Sequence, residues 1–140
     1  MICKHHDLEF ELPDEWLNEA DLSDPMIMKD CYLPDLEATR GQDVFKVPID
    51  SVEPLTERAA GKGIFCDDDT TGQTAKQRVL RIIKRLKANK RIEPVKVVNS
   101  HSPGFSYKLT EGCHRFYCTV ALGYKSVPAT MGFDINDQYA

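Results

Sequence analysis

Two apolar stretches joined by a glycine–proline turn constrain this chain more than any other feature. "PVKVV" (94–98) and "FSYKL" (105–109) have the apolar and alternating character of strands, and "NSHSPG" between them supplies turn residues. The pair reads as a β-hairpin, which joins antiparallel neighbours and argues against an all-parallel sheet wound on both faces. The chain then leaves the second strand through "TEGCHRF" and opens a helix at Gly112. That helix runs to about Leu122, with Gly123 as its C-terminal stop. "SVPATMGF" (126–133) closes as a last strand. Strands and helices are thus interleaved around a hairpin, which predicts an α+β fold with a mixed β-sheet packed with helices. At 140 residues one domain is expected.

Upstream, "LEFEL" (8–12) alternates as a strand, and "PDEWLNEA" starts a helix at Pro13 with Trp16, Leu17 and Ala20 facing a core. Residues 21–42 read as loop with room for one helical turn. "VFKVPI" (44–49) reads as a strand, with Pro48 marking it as an edge. Residues 53–73 read as a long mobile loop. Residues 1–43 are therefore taken as an N-terminal extension packed on a domain spanning 44–140.

The net charge of −4 conceals an asymmetry: residues 1–70 carry 18 acidic and 6 basic side chains, residues 71–140 carry 4 and 12. An anionic ligand would belong to the second half, unless the halves simply neutralise each other. No stretch approaches the roughly 20 apolar residues of a membrane span, and the acidic N-terminus lacks a signal-peptide pattern, so a cytoplasmic protein without membrane contact is expected. Five cysteines without a CxxC pair make neither a disulfide framework nor a zinc knuckle. Cys3, His5 and His6 fall in what reads as a frayed terminus, and no metal site is assigned.

The clearest helix spans Thr74–Asn89. Val79, Leu80, Ile82, Ile83 and Leu86 share one arc, and Arg78, Arg81, Lys84 and Arg85 the opposite one. Residues 76–91 hold eight Lys/Arg and no acid, with like charges repelling at i,i+4. A basic face is usually just solvated, but this one could contact the phosphates of a nucleic acid through Arg78, Arg81, Lys84 and Arg85.

The most informative chemistry lies at Gly112–Arg115. The first N–H groups of a helix lack intrahelical partners, and the helix dipole adds positive potential there. Gly112 removes side-chain bulk, and Arg115 and His114 add donors suited to phosphate, which together make an anion site. The same setting would lower the pKa of Cys113 and favour a reactive thiolate, whereas an ordinary free cysteine is a small buried hydrophobe.

From about Val44 to Phe133 the chain resembles the ParB/sulfiredoxin-like superfamily. The resemblance rests on "VPID", "IEPVKVV", "YKLTEGCHRF" and "LGYKSVPA", in which Gly112, Arg115, Leu122, Gly123, Pro128 and Ala129 match the superfamily signature. It implies a ParB/sulfiredoxin-like domain with a strand–turn–helix phosphate site. Glycine–cysteine–histidine–arginine is the sulfiredoxin form of that motif. By resemblance Cys113 would be catalytic, His114 and Arg115 would hold ATP phosphates, and Lys76, after Ala75, would bind phosphate too.

The leading expectation is binding of ATP or another nucleoside triphosphate, or another phosphate ligand, at Gly112, His114 and Arg115 with help from Lys76. Mg²⁺ would accompany the nucleotide, and ATPase or phosphoryl-transfer activity is the chemistry such a site would support. One alternative is ATP-dependent reduction of a cysteine sulfinic acid through Cys113. The other is a DNA-associated protein of the partition or nuclease type, or an adaptor with a protein partner.

Overall fold

The computed structural model describes residues 1–22, 29–67 and 69–132. In chain order it contains β1 (Ile2–His5), β2 (Leu8–Glu11), α1 (Asp14–Glu19), β3 (Phe45–Pro48), α2 (Thr56–Ala60), α3 (Ala75–Lys87), β4 (Val95–Asn99), β5 (Tyr107–Glu111), α4 (Cys113–Ala121) and β6 (Ser126–Met131). Phe133, the expected end of the last strand, lies outside the described residues.

The hairpin forms as its sequence requires. β4 and β5 pair antiparallel, with Val97 opposite Leu109 and a bulge between Lys96 and Val97. The four-stranded sheet has the order β3-β6-β4-β5. β3 lies antiparallel to β6, and β6 parallel to β4, so the sheet is mixed. α4 is the connection that allows β6 to run parallel to β4, because a parallel neighbour needs a crossover. β3 is an edge strand, where Pro48 costs no central ladder bond.

Val47, Val95, Val97, Val127 and Ala129 of the sheet join Val79, Ile83 and Leu86 of α3 and Phe116, Tyr117 and Leu122 of the α4 segment in one buried cluster. Burying a side chain of this size contributes about 1.5–3 kcal/mol. The arc expected on α3 is therefore the packed face, with Leu80 and Ile82 half-buried at its margins.

Two expectations need correction. The N-terminus does not fray: β1 pairs with β2, turning through His6 at φ 54°. His5, 2% exposed, donates from Nε2 to Ile49 O at 3.0 Å and sets its ring edge-on to Phe116 and Tyr117. Period-2 burial of Cys3, His5, Leu8 and Phe10 supplies the apolar face that residues 1–7 alone do not advertise. The stretch 53–73 is also not all loop. It contains α2, anchored where Leu55 N–H donates to Tyr117 Oη at 3.1 Å.

The charge asymmetry is partly resolved inside the fold. Lys76 Nζ pairs with Glu19 at 2.7 Å, and Lys87 Nζ lies 2.5 Å from Asp21 O and 3.7 Å from its carboxylate. One flank of α3 is thereby matched to the acidic segment around α1. Among the described residues its other flank has no ion pair with that segment.

Candidate functional site

Gly112 ends the turn between β5 and α4 at φ 94°, ψ 31°. A Cβ there would lie 2.8 Å from Val95 Cγ1 and 2.9 Å from Arg115 Nη2. Backbone conformation and close packing therefore both demand glycine at this position. No side chain caps α4, and its first internal bond is Phe116 N–H to Gly112 O at 2.8 Å. Among the described residues nothing accepts from the N–H groups of Cys113, His114 or Arg115.

The start of α3 has the opposite character. Thr74 Oγ1 accepts from Gln77 N–H at 3.1 Å, and Gln77 Oε1 accepts from Thr74 N–H at 2.9 Å, a reciprocal capping box. Asp67 Oδ1 accepts from Ala75 N–H at 2.6 Å and supplies an internal anion.

Two cavities open around the α4 start and share Arg78, Glu93, Gly112, His114 and Arg115. The smaller, about 370 Å³, is lined by Arg78, Arg81, Arg85, Arg91 and Arg115 against two carboxylates, Asp35 and Glu93. The larger, about 720 Å³, adds Arg58, Lys62, Cys66 and Cys113, with Asp67, Asp69 and Glu111 as its further acids. Arg115 is held by Pro94 O at 3.3 Å and Glu93 Oε2 at 3.7 Å, while its buried Nε has no partner among the described residues.

His114 is 4% exposed. Its Nε2 lies 3.2 Å from Cys66 N–H and 3.1 Å from Cys66 O, and the tautomer selects which bond forms. Burial lowers its pKa to about 4, with Arg78 and Arg58 pushing the same way. At neutral pH the ring is uncharged and holds Cys66 against the helix start.

At Cys113 burial opposes the local positive charge expected to activate it. Its Sγ lies 3.5 Å from Ile64 O, and burial pushes the thiol up to about 11 despite the nearby Arg58 guanidinium. Desolvation outweighs the local positive charge. Arg58 Nη2 also lies 3.1 Å from Cys66 Sγ.

The structure thus brings Arg78, Arg81 and Arg85 to the same cleft as Gly112, Cys113, His114 and Arg115. It does not bring Lys76, which is on the Glu19 flank, or Lys84, which is exposed and lines neither cavity. Lys76 and Arg78 are two residues apart, about 200° around the helix, so only one can face the cleft. Arg58, Arg91, Asp35 and Glu93 are site residues that sequence reasoning missed. Glu93 had a signal, being the single acid between residues 71 and 110. Asp35 reaches the cleft through tertiary contact, with Pro34 bridged to Ile92. Among the described residues no three His, Cys, Asp or Glu side chains converge as a metal site, and no helix is long and apolar enough to cross a membrane.

No family model matches the chain, and no curated protein matches it. A crystal structure of sulfiredoxin from Arabidopsis thaliana is similar at 13% identity and a TM-score of 0.45, over 69% of this chain and 92% of that one. A likeness that loose says nothing of ligand or activity.

Proposed function

We propose that the protein binds the phosphates of a nucleoside triphosphate or similar phosphate ligand at the start of α4. The observation that carries this is the uncapped N-terminus of a nine-residue helix opening into an arginine-lined cavity. Oriented N–H groups and the helix dipole, worth about half a positive charge, favour an anion there. Arg115 and Arg78 would supply charge-assisted bonds, which are shorter and stronger than neutral ones. Neutral His114 would position the loop at Cys66 and not act as a cation.

Any Mg²⁺ would arrive on the phosphate oxygens, since this ion keeps waters and takes few protein carboxylates. Asp67 and Asp69 line the larger cavity and are the carboxylates it would meet. Reduction of a sulfinic acid through Cys113 has less support. With the thiol near pKa 11, about one in ten thousand would be ionised at pH 7. The proposal assigns no base or nucleophile, so it concerns binding alone.

Isothermal titration with ATP and CTP tests it. Binding is expected, and Arg115→Ala should weaken it about ten- to a hundredfold, the loss of one charged hydrogen-bonding group. No heat with either nucleotide, or a variant that binds like the wild type, would sink the proposal.

A further inference from the structure

One phosphate on the α4 start would occupy only part of the cleft. Arg78, Arg81 and Arg85 follow one another at i, i+3 and i+7 along α3, a row about 10 Å long at a helix rise of ~1.5 Å per residue. Arg91 and Arg115 line the same cavity, giving five guanidiniums to two carboxylates in it. Arg85 Nη2 donates to Arg91 O at 2.5 Å and Arg91 Nη1 to Pro34 O at 3.1 Å, so this end of the row is braced by backbone.

What the walls lack is equally specific. Among the described residues no Phe, Tyr or Trp lines either cavity. Among these residues, apolar walls are confined to Ala38, Ile82 and Ile92 in one, and Leu55 and Leu109 in the other. Gln73 is the lone side-chain amide among the described residues of either lining. The one ring among the described lining residues, His114, is buried, with Nε2 engaged by Cys66 and its face tilted against Phe65 at 5.8 Å. Stacking on an aromatic ring is worth about 1–3 kcal/mol per base, and the described residues of this cleft offer no ring for it.

Resting on the anion site proposed above, we infer that the cleft recognises a linear chain of condensed phosphates and does not read a base. The ligand class is a polyphosphate of three or more units, inorganic or carried on a nucleoside. Its terminal phosphate lies on the N–H groups of Cys113, His114 and Arg115, and the following units run along the α3 arginine row.

The test is a calorimetric series at fixed ionic strength with orthophosphate, pyrophosphate, tripolyphosphate, ATP and CTP. Affinity should climb with chain length in the inorganic series. ATP and CTP should match each other within about threefold, and neither should exceed tripolyphosphate by more than that. Tripolyphosphate tighter than both nucleotides would assign the inorganic source, and equality would assign the shared chain. The double variant Arg81→Gln/Arg85→Gln should erase the gain from pyrophosphate to tripolyphosphate while keeping orthophosphate binding. ATP or CTP binding about tenfold tighter than tripolyphosphate overturns this inference and leaves the anion site standing. An affinity that does not grow with chain length also overturns it, and that arm needs no variant. Silence from every ligand instead removes the anion site on which it rests.

Discussion

Two helix starts flank the cleft, and they solve the same problem in opposite ways. Both α3 and α4 begin with N–H groups that their own helices cannot satisfy. At α3, Thr74, Gln77 and Asp67 provide acceptors from within the chain. At α4 the N-cap is Gly112, which has no side chain to offer, and its packing against Val95 forbids one. An internally capped start adds stability, whereas an uncapped one beside five arginines is available to an external anion. The flanks of α3 repeat the contrast: Lys76 and Lys87 are matched to acids of the N-terminal segment, while Arg78, Arg81 and Arg85 line the cavity.

The comparison breaks most readily at Gly112. Gly112→Ala must accept a left-handed backbone and a contact at 2.8 Å with Val95, at a cost of about 2–4 kcal/mol. Urea denaturation should show that loss, and titration should show no phosphate binding by the folded fraction. A variant as stable as the wild type would mean that the close packing at Val95 is easily relieved.

Acidification probes the bolt behind the open start. His114 has a folded pKa lowered from 6.5 to about 4, so above pH 6.5 it is neutral both folded and unfolded and contributes no pH dependence. As pH falls below 6.5 the unfolded chain takes up the proton first, and stability drops until about pH 4, where the slope levels off. His5, also buried and lowered, adds to the wild-type slope. His114→Gln should therefore flatten part of the slope between pH 6.5 and 4 in thermal melts. An unchanged slope would show that His114 titrates normally.

Thr74→Ala addresses the closed start. Losing that cap should cost about 1 kcal/mol of stability and leave phosphate affinity unaltered. A fall in affinity would place the anion at α3. The smallest expected effect is at Glu93, whose carboxylate lies 3.7 Å from Arg115 and competes for it. Glu93→Gln should tighten phosphate binding about two- to fivefold, in line with the modest worth of a half-exposed ion pair. Weaker binding by this variant would make Glu93 a support for Arg115 and not a competitor.

Local features of the fold were legible because they are written locally. The β4–β5 hairpin, the α3 periodicity and the glycine at the α4 start each declare themselves within a dozen residues. β1 was not legible, because "ICKH" becomes a strand only when His5 finds Ile49 and the rings of Phe116 and Tyr117. α2, five residues between Pro54 and Gly61, is too short to show a period. At the candidate site, the motif marked the helix start that the structure leaves uncapped, but the chemistry of its members depended on burial that no spacing reveals. Cys113 is raised and His114 lowered by the same desolvation. Arg58, Arg91 and Asp35 join the cleft from distant segments, and Lys76 is kept from it because its flank of α3 meets α1.

The central claim is that the open start of α4, and not the capped start of α3, holds the anion. Backbone amide chemical shifts measured by ¹H–¹⁵N NMR during titration with tripolyphosphate test it directly. The amides of Cys113, His114 and Arg115 should move saturably and together, with those of Ala75 and Gln77 nearly still. Saturable movement centred on Ala75 and Gln77, or none at Cys113–Arg115, would contradict the account.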